Sequence, residues 1–107
     1  MFINLLKGIK LRFNKYLKKE ILSSIYKSFG DVKVILFGSR VDDTKRGGDF
    51  DIAIICDYDK KEFKERKLNL IKQLFLKDID LPIDLINYKF ADDILKKEID
   101  NKGILIK

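Results

Sequence analysis

Along the first quarter of the chain, Phe2, Leu5, Leu6, Ile9, Phe13, Tyr16, Leu17, Ile21 and Ile25 recur at steps of three and four, with lysines between them. That is the period of a helix with one apolar face. Gly8 weakens the opening turns and Asn14 can cap a restart, so the helix is expected over about 14–28, ended by Gly30-Asp31. The pattern then changes. Val32-Lys33-Val34-Ile35-Leu36-Phe37 is a β-branched and aromatic run stopped by Gly38, which predicts a mostly buried strand. Residues 39–48 are polar, without a hydrophobic period, and predict a loop. Phe50 to Cys56 is a second strand, interrupted only by Asp51.

Asp59 is a predicted helix N-cap, with Glu62 three residues on as its capping-box partner. The helix that follows runs to about Lys77 and is expected to bury Phe63, Leu70, Ile71, Leu74 and Phe75. Its acids come early and Lys72 and Lys77 late, as the helix dipole favours. Pro82 suits the start of a third strand, Ile83 to Asn87. A last helix spans about Asp92 to Asn101 with Gly103 as its C-cap, and Ile104-Leu105-Ile106 can add an edge strand. No repeat, linker or low-complexity stretch interrupts the sequence. The order α-β-β-α-β-α predicts an α/β or α+β fold, one small sheet packed against helices, and a single domain over 1–107.

Composition narrows the function classes. With 46% apolar residues in 107, enough Ile, Leu, Val and Phe is present for a core, which excludes a disordered chain. One cysteine, Cys56, and no histidine exclude an internal disulfide, a zinc finger and any His general base. The apolar runs are too short to span a membrane, and Met1 to Lys7 does not read as a signal peptide, so a cytoplasmic protein is expected.

The net charge of +6 is local. Residues 1–28 hold seven Lys or Arg against one acid, Glu20, while the remainder is balanced. Such a segment is either a solvated face or a dock for nucleic acid, an acidic protein or an anionic surface. Lysines outnumber arginines 19 to 4, and no tyrosine platform accompanies them, which disfavours a dedicated nucleic-acid reader.

Three features carry candidate chemistry. Gly38-Ser39-Arg40 follows a buried strand, where a glycine lets a phosphate approach backbone N–H groups and Ser39 and Arg40 add a hydroxyl and a cation. Alone, the tripeptide is only a turn. Asp49 and Asp51, two apart, project from one side of a strand with Cα atoms about 6.6 Å apart, close enough to share a cation. They are either loop-end acids in water or metal ligands. Asp51 in a hydrophobic run favours a hard divalent ion, because a buried unpaired carboxylate is costly and two adjacent ones repel. Asp84, inside Leu81-Pro82-Ile83-Asp84-Leu85-Ile86, is a third acid in a core strand.

Phe37-Gly38-Ser39-Arg40, a glycine-containing polar loop, Asp49-Phe50-Asp51 and a later isolated strand aspartate together resemble the minimal nucleotidyltransferases of the DNA polymerase β superfamily. More narrowly they are similar to the MntA-like antitoxins that act beside HEPN-domain toxins. The resemblance runs over roughly residues 14 to 100. It implies a mixed sheet whose first two strands are antiparallel. It also implies phosphate contacts at Gly38, Ser39 and Arg40, metal-binding and catalytic carboxylates at Asp49, Asp51 and Asp84, and Mg²⁺ with ATP as co-substrate. Two departures, nine residues between Ser39 and Asp49 and Gly48 where a serine often precedes the first Asp, leave the carboxylates in place.

The expected activity is transfer of AMP from ATP to a hydroxyl of a partner protein, by resemblance a HEPN toxin tyrosine, within a hetero-oligomer. Two alternatives stand beside it. One is a non-catalytic antitoxin that neutralises its partner by contact, and the other is nucleotidyl transfer to RNA along the basic first helix.

Overall fold

The computed structural model describes residues 15–38, 50–79 and 83–107, so the expected helical positions before Lys15 lie outside the described residues. Helix α1, Lys15–Phe29, turns Ile21, Ser24, Ile25, Ser28 and Phe29 inward and ends where the Gly30 N–H donates to the Tyr26 carbonyl at 2.8 Å. Strands β1 (Lys33–Phe37) and β2 (Phe50–Ile55) follow, then helix α2 (Lys60–Leu76) and strand β3 (Ile83–Asn87). A 3₁₀ turn at Tyr88–Phe90 leads into helix α3 (Asp93–Lys102) and the short strand β4 (Ile104–Leu105).

The sheet is mixed, in the order β3-β2-β1-β4. Strand β1 is antiparallel to β2 and to β4, and β3 runs parallel to β2. Alternation along the strands separates two faces. Val34, Leu36, Phe50, Ile52, Ile54 and Leu85 pack against Ile21, Ile25 and Phe29 of α1 and Phe63, Leu70 and Leu74 of α2. Each fully buried Ile or Phe contributes about 1.5–3 kcal/mol, so this face drives the fold. The opposite face is thinner. There Phe37 and Ala53, with Ile35 and Ile86 at their margin, meet Ile99 and Leu95 of α3.

Tyr58 ties the first helix layer together. Its hydroxyl donates to the Phe29 carbonyl at 2.7 Å, and the Arg66 guanidinium stacks 4.1 Å from its ring centroid. Arg66 also donates to the Ser28 carbonyl at 3.0 Å, and Lys77 bonds Glu20 at 3.1 Å, so α2 runs antiparallel beside α1.

The capping signals hold in most details. The Asp59 carboxylate accepts from the Glu62 N–H at 2.8 Å and that of Asp92 from the Leu95 N–H at 2.8 Å. Glu62 completes no more than half of the box, since its side chain goes forward to Arg66 at 2.8 Å. Gly103 does cap α3, but at φ −73°, so left-handed backbone is not its reason. A Cβ there would overlap the Ile99 carbonyl oxygen and press on the Ile35 side chain, so closeness of α3 to β1 excludes one.

One core expectation is corrected. Ile71 and Phe75 are 53% and 80% exposed. They sit roughly 80° and 120° around the helix from the mean direction of Phe63, Leu70 and Leu74, too far to reach the sheet.

Candidate metal and nucleotide site

The residues expected to carry chemistry gather where β1 ends and β2 and β3 begin. Phe37 is the register partner of Asp51 across the antiparallel pair, and Asp51 is the partner of Asp84 across the parallel one. Alternation puts Phe37, Asp51 and Asp84 on one face, the face of α3, in a row across three strands about 4.8 Å apart. Ile35, Ala53 and Ile86 form the next row, and α3 covers that one through Ile99 and Leu95. The Asp51–Asp84 row lies at the rim of the covered area.

This placement corrects the argument from burial. Asp51 is half-buried, between the buried Phe50 and Ile52, whereas Asp84 is exposed. Strand β3 is at the sheet edge, so an apolar run along it does not enclose the acid in its middle. Desolvation thus bears on Asp51 and not on Asp84.

Gly38 closes the arrangement. It follows β1 directly, with φ +76° in the left-handed region, where L side chains are strained. A Cβ built on it would overlap the Asp51 carboxylate, lying 3.1 Å from its Cγ and 3.3 Å from its Cβ. Both backbone angle and space require glycine here. The backbone emerging from β1 is therefore held against a carboxylate.

Ser39, Arg40 and Asp49 lie outside the described residues. Among those described, no group of three or more His, Cys, Asp or Glu side chains comes together. Asp51 and Asp84 are nonetheless hard oxygen donors in register on neighbouring strands, beside a cradle that a Cβ would fill. That donor chemistry fits a hard divalent cation.

At the other end of β3, Asn87 joins the strand to the loop after β2. Its amide donates to the Tyr58 carbonyl at 3.2 Å and its carbonyl lies 3.7 Å from the Cys56 sulfur. Burial pushes the Cys56 thiol above its ordinary pKa. Next to Asn87, the Tyr88 hydroxyl donates to Asp100 at 2.9 Å, which raises its pKa. The sequence gives no signal for either contact, because the partners are distant along the chain. Ile71 and Phe75, expected in the core, belong instead to the outward flank of α2.

Several solved structures share this fold. A toxin–antitoxin crystal structure with AMP-PNP is 20% identical, with a TM-score of 0.65, over 84% of this chain and 72% of that one. A tri-AMPylated Shewanella oneidensis HEPN toxin in complex with its MNT antitoxin gives a chain 19% identical, with a TM-score of 0.60, over 92% and 71%. The toxin–antitoxin pair MntA–HpeT bearing two Asp-to-Glu substitutions gives 20% and 0.64, over 84% and 72%. At these identities the likeness is one of fold. No curated protein sequence matches the chain. Among the described residues no helix is long and apolar enough to cross a membrane. The family model for the polymerase beta nucleotidyltransferases matches residues 14–107, in keeping with the mixed sheet, and the chain belongs to that family.

Proposed function

We propose that the protein is an antitoxin that transfers AMP from ATP to a hydroxyl of a HEPN-domain toxin, a tyrosine by preference. The observation that carries this reading is the left-handed Gly38 backbone held against Asp51, with Asp84 in register beside it. A phosphate can approach a chain that carries no side chain at that point, and carboxylates stand next to it. The structural neighbours support the partner: they are toxin–antitoxin complexes, one with AMP-PNP and one with an AMPylated HEPN toxin.

In this reading Gly38, Ser39 and Arg40 bind and orient the β- and γ-phosphates. Asp49, Asp51 and Asp84 hold Mg²⁺, which when bound neutralises the charge of the triphosphate. Asp84, exposed at the sheet edge, is on the side open to an acceptor and takes up the proton of the attacking hydroxyl. The acceptor oxygen bonds to the α-phosphorus as the bond to pyrophosphate breaks, so no covalent enzyme intermediate is needed. Positioning and charge neutralisation then supply most of the rate. The need for ATP puts this activity in the cytoplasm.

The deciding experiment is incubation of the protein with α-labelled ATP, Mg²⁺ and a purified HEPN-domain protein from the same genome. Label on a tyrosine of that protein supports the reading. Neutralisation of the toxin without label favours inhibition by contact, and label on added RNA favours the RNA acceptor.

A further inference from the structure

Between the end of β3 and the start of α3 lies an open pocket of about 430 Å³. Ile86 and Leu95 form its apolar side, Ala91 lines it with a single methyl, and Lys60, Phe90 and Asp92 stand at its exposed rim. Asn87 also touches it, but its amide donates to the Tyr58 carbonyl and its own carbonyl accepts from the Lys89 N–H. Small-molecule sites have volumes of roughly 300–1,000 Å³, apolar and aromatic walls and a few polar groups. This pocket has all three.

The pocket shares a face with the carboxylates. Residues two apart on a strand project to the same side, so Ile86 faces as Asp84 does, toward α3. Ile86 is roughly 6.6 Å farther along β3. The pocket therefore begins one row beyond the Asp51–Asp84 row, at the same edge of the sheet.

The geometry of transfer selects the occupant. Attacking and leaving oxygens lie roughly in line across the phosphorus. With the β- and γ-phosphates held at Gly38, at the end of β1, that line crosses the strands, and the acceptor enters past Asp84 at the β3 edge. The ribose leaves the α-phosphorus to the side of this line. One such direction runs along β3 to Ile86, and a ribose spanning that row sets its base in the pocket. There Phe90 presents a ring 45% exposed. The Lys60 and Lys89 ammoniums lie 5.1 and 5.6 Å from its centroid, on flexible stems that yield the ring face to a base and meet its ring nitrogens.

We infer that this pocket binds the base of the nucleotide, a purine, stacked on Phe90 and lying against Ile86 and Leu95. The inference rests on the proposed transfer from ATP and adds the residues that hold the nucleoside. Stacking on an aromatic side chain tolerates every base and favours the larger ring system, so the pocket distinguishes purine from pyrimidine.

The test uses the full chain and two probes, Mg·ATP and inorganic tripolyphosphate with Mg²⁺, which carries the phosphates without a base. Calorimetry of Phe90→Ala is expected to show ATP affinity reduced roughly tenfold or more, with tripolyphosphate affinity unchanged. Ala91→Phe, which fills the pocket, should do the same, and Phe90→Tyr should keep ATP binding. The parent chain should bind ATP and GTP more tightly than CTP and UTP. The sequence has no tryptophan, so Phe90→Trp provides a single reporter whose fluorescence should respond to ATP and not to tripolyphosphate. ATP bound as tightly by Phe90→Ala and Ala91→Phe as by the parent overturns the base pocket alone. So does a parent chain that binds ATP no more tightly than tripolyphosphate, or a Phe90→Ala chain that loses both probes equally. Unchanged ATP binding with a weakened complex with the HEPN-domain protein would give the pocket to the acceptor and also overturn it. A parent chain that binds neither probe overturns the proposed transfer together with the pocket.

Discussion

Gly38 and Asp51 are locked together: the left-handed glycine after β1 lies so close to the Asp51 carboxylate that no side chain fits between them. The antiparallel pairing of Phe37 with Asp51 brings this about, because it places the residue after Phe37 beside the aspartate. One end of the site is thus built into the sheet register. Its shape does not depend on a long side chain finding its rotamer.

Gly38→Ala should lose both conformation and activity. The left-handed backbone costs an L residue about 1–2 kcal/mol, and the new methyl must displace Asp51. A melting temperature lower by several degrees, with transfer from labelled ATP reduced more than in Ser39→Ala, is the expected outcome. The Ser39 hydroxyl supplies one hydrogen bond to a charged group, about 1.5–3 kcal/mol, with backbone amides still in place. A Gly38→Ala protein as active and stable as the parent would show that phosphates bind elsewhere.

Asp84→Asn should leave the fold alone and stop the chemistry. An exposed substitution changes stability by about 0.5 kcal/mol or less, so thermal melts should superimpose. Transfer should fall on the order of a hundredfold or more, as when a charge-stabilising group is removed from an active centre. Asp51→Asn should match it in activity. Wild-type rates in both variants would remove these aspartates from the reaction.

Cys56 should be slow to alkylate at neutral pH. Burial raises its pKa, so less thiolate is present than in an ordinary cysteine, and thiolate is the reactive form. Timed iodoacetamide labelling with mass spectrometry, beside glutathione, should show a lag that closes only as pH rises past the usual thiol range. Folding should likewise be favoured below that range and lose this contribution as pH climbs through the raised pKa.

The C-terminal tail should loosen in acid. Lys107 hydrogen-bonds and pairs with Asp31, which lowers the Asp31 pKa, while Val34 donates to the Lys107 carbonyl at 3.0 Å and accepts from Ile106 at 2.9 Å. A depressed carboxyl pKa gives stability that is full above the ordinary carboxylate range and lost as pH falls through the folded-state value. Protection of the Val34 and Ile106 amides, taken relative to the intrinsic exchange rate at each pH, should therefore fall as pH drops below the ordinary carboxylate range, and Asp31→Asn should lower it at neutral pH. Protection indifferent to both would leave the tail held by its backbone bonds alone.

Much of this protein was present in its sequence. The alternation of β1 and β2, the caps at Asp59 and Asp92 and the stop after α1 depend on neighbours a few residues apart, where local sterics and hydrogen bonds decide. The family resemblance added the antiparallel β1–β2 pair and the mixed sheet, which periodicity cannot supply. Only the tertiary structure decided which strand became an edge, and with it that Asp84 stands in solvent although apolar residues surround it in sequence. It decided the register that sets Asp51 between Phe37 and Asp84, and the closeness that makes Gly38 and Gly103 irreplaceable for different reasons. It also left Leu68, Ile71 and Phe75 outside the core, because a helix lying on a sheet can bury only the side that faces it, and residues roughly 80° or more away do not reach the sheet.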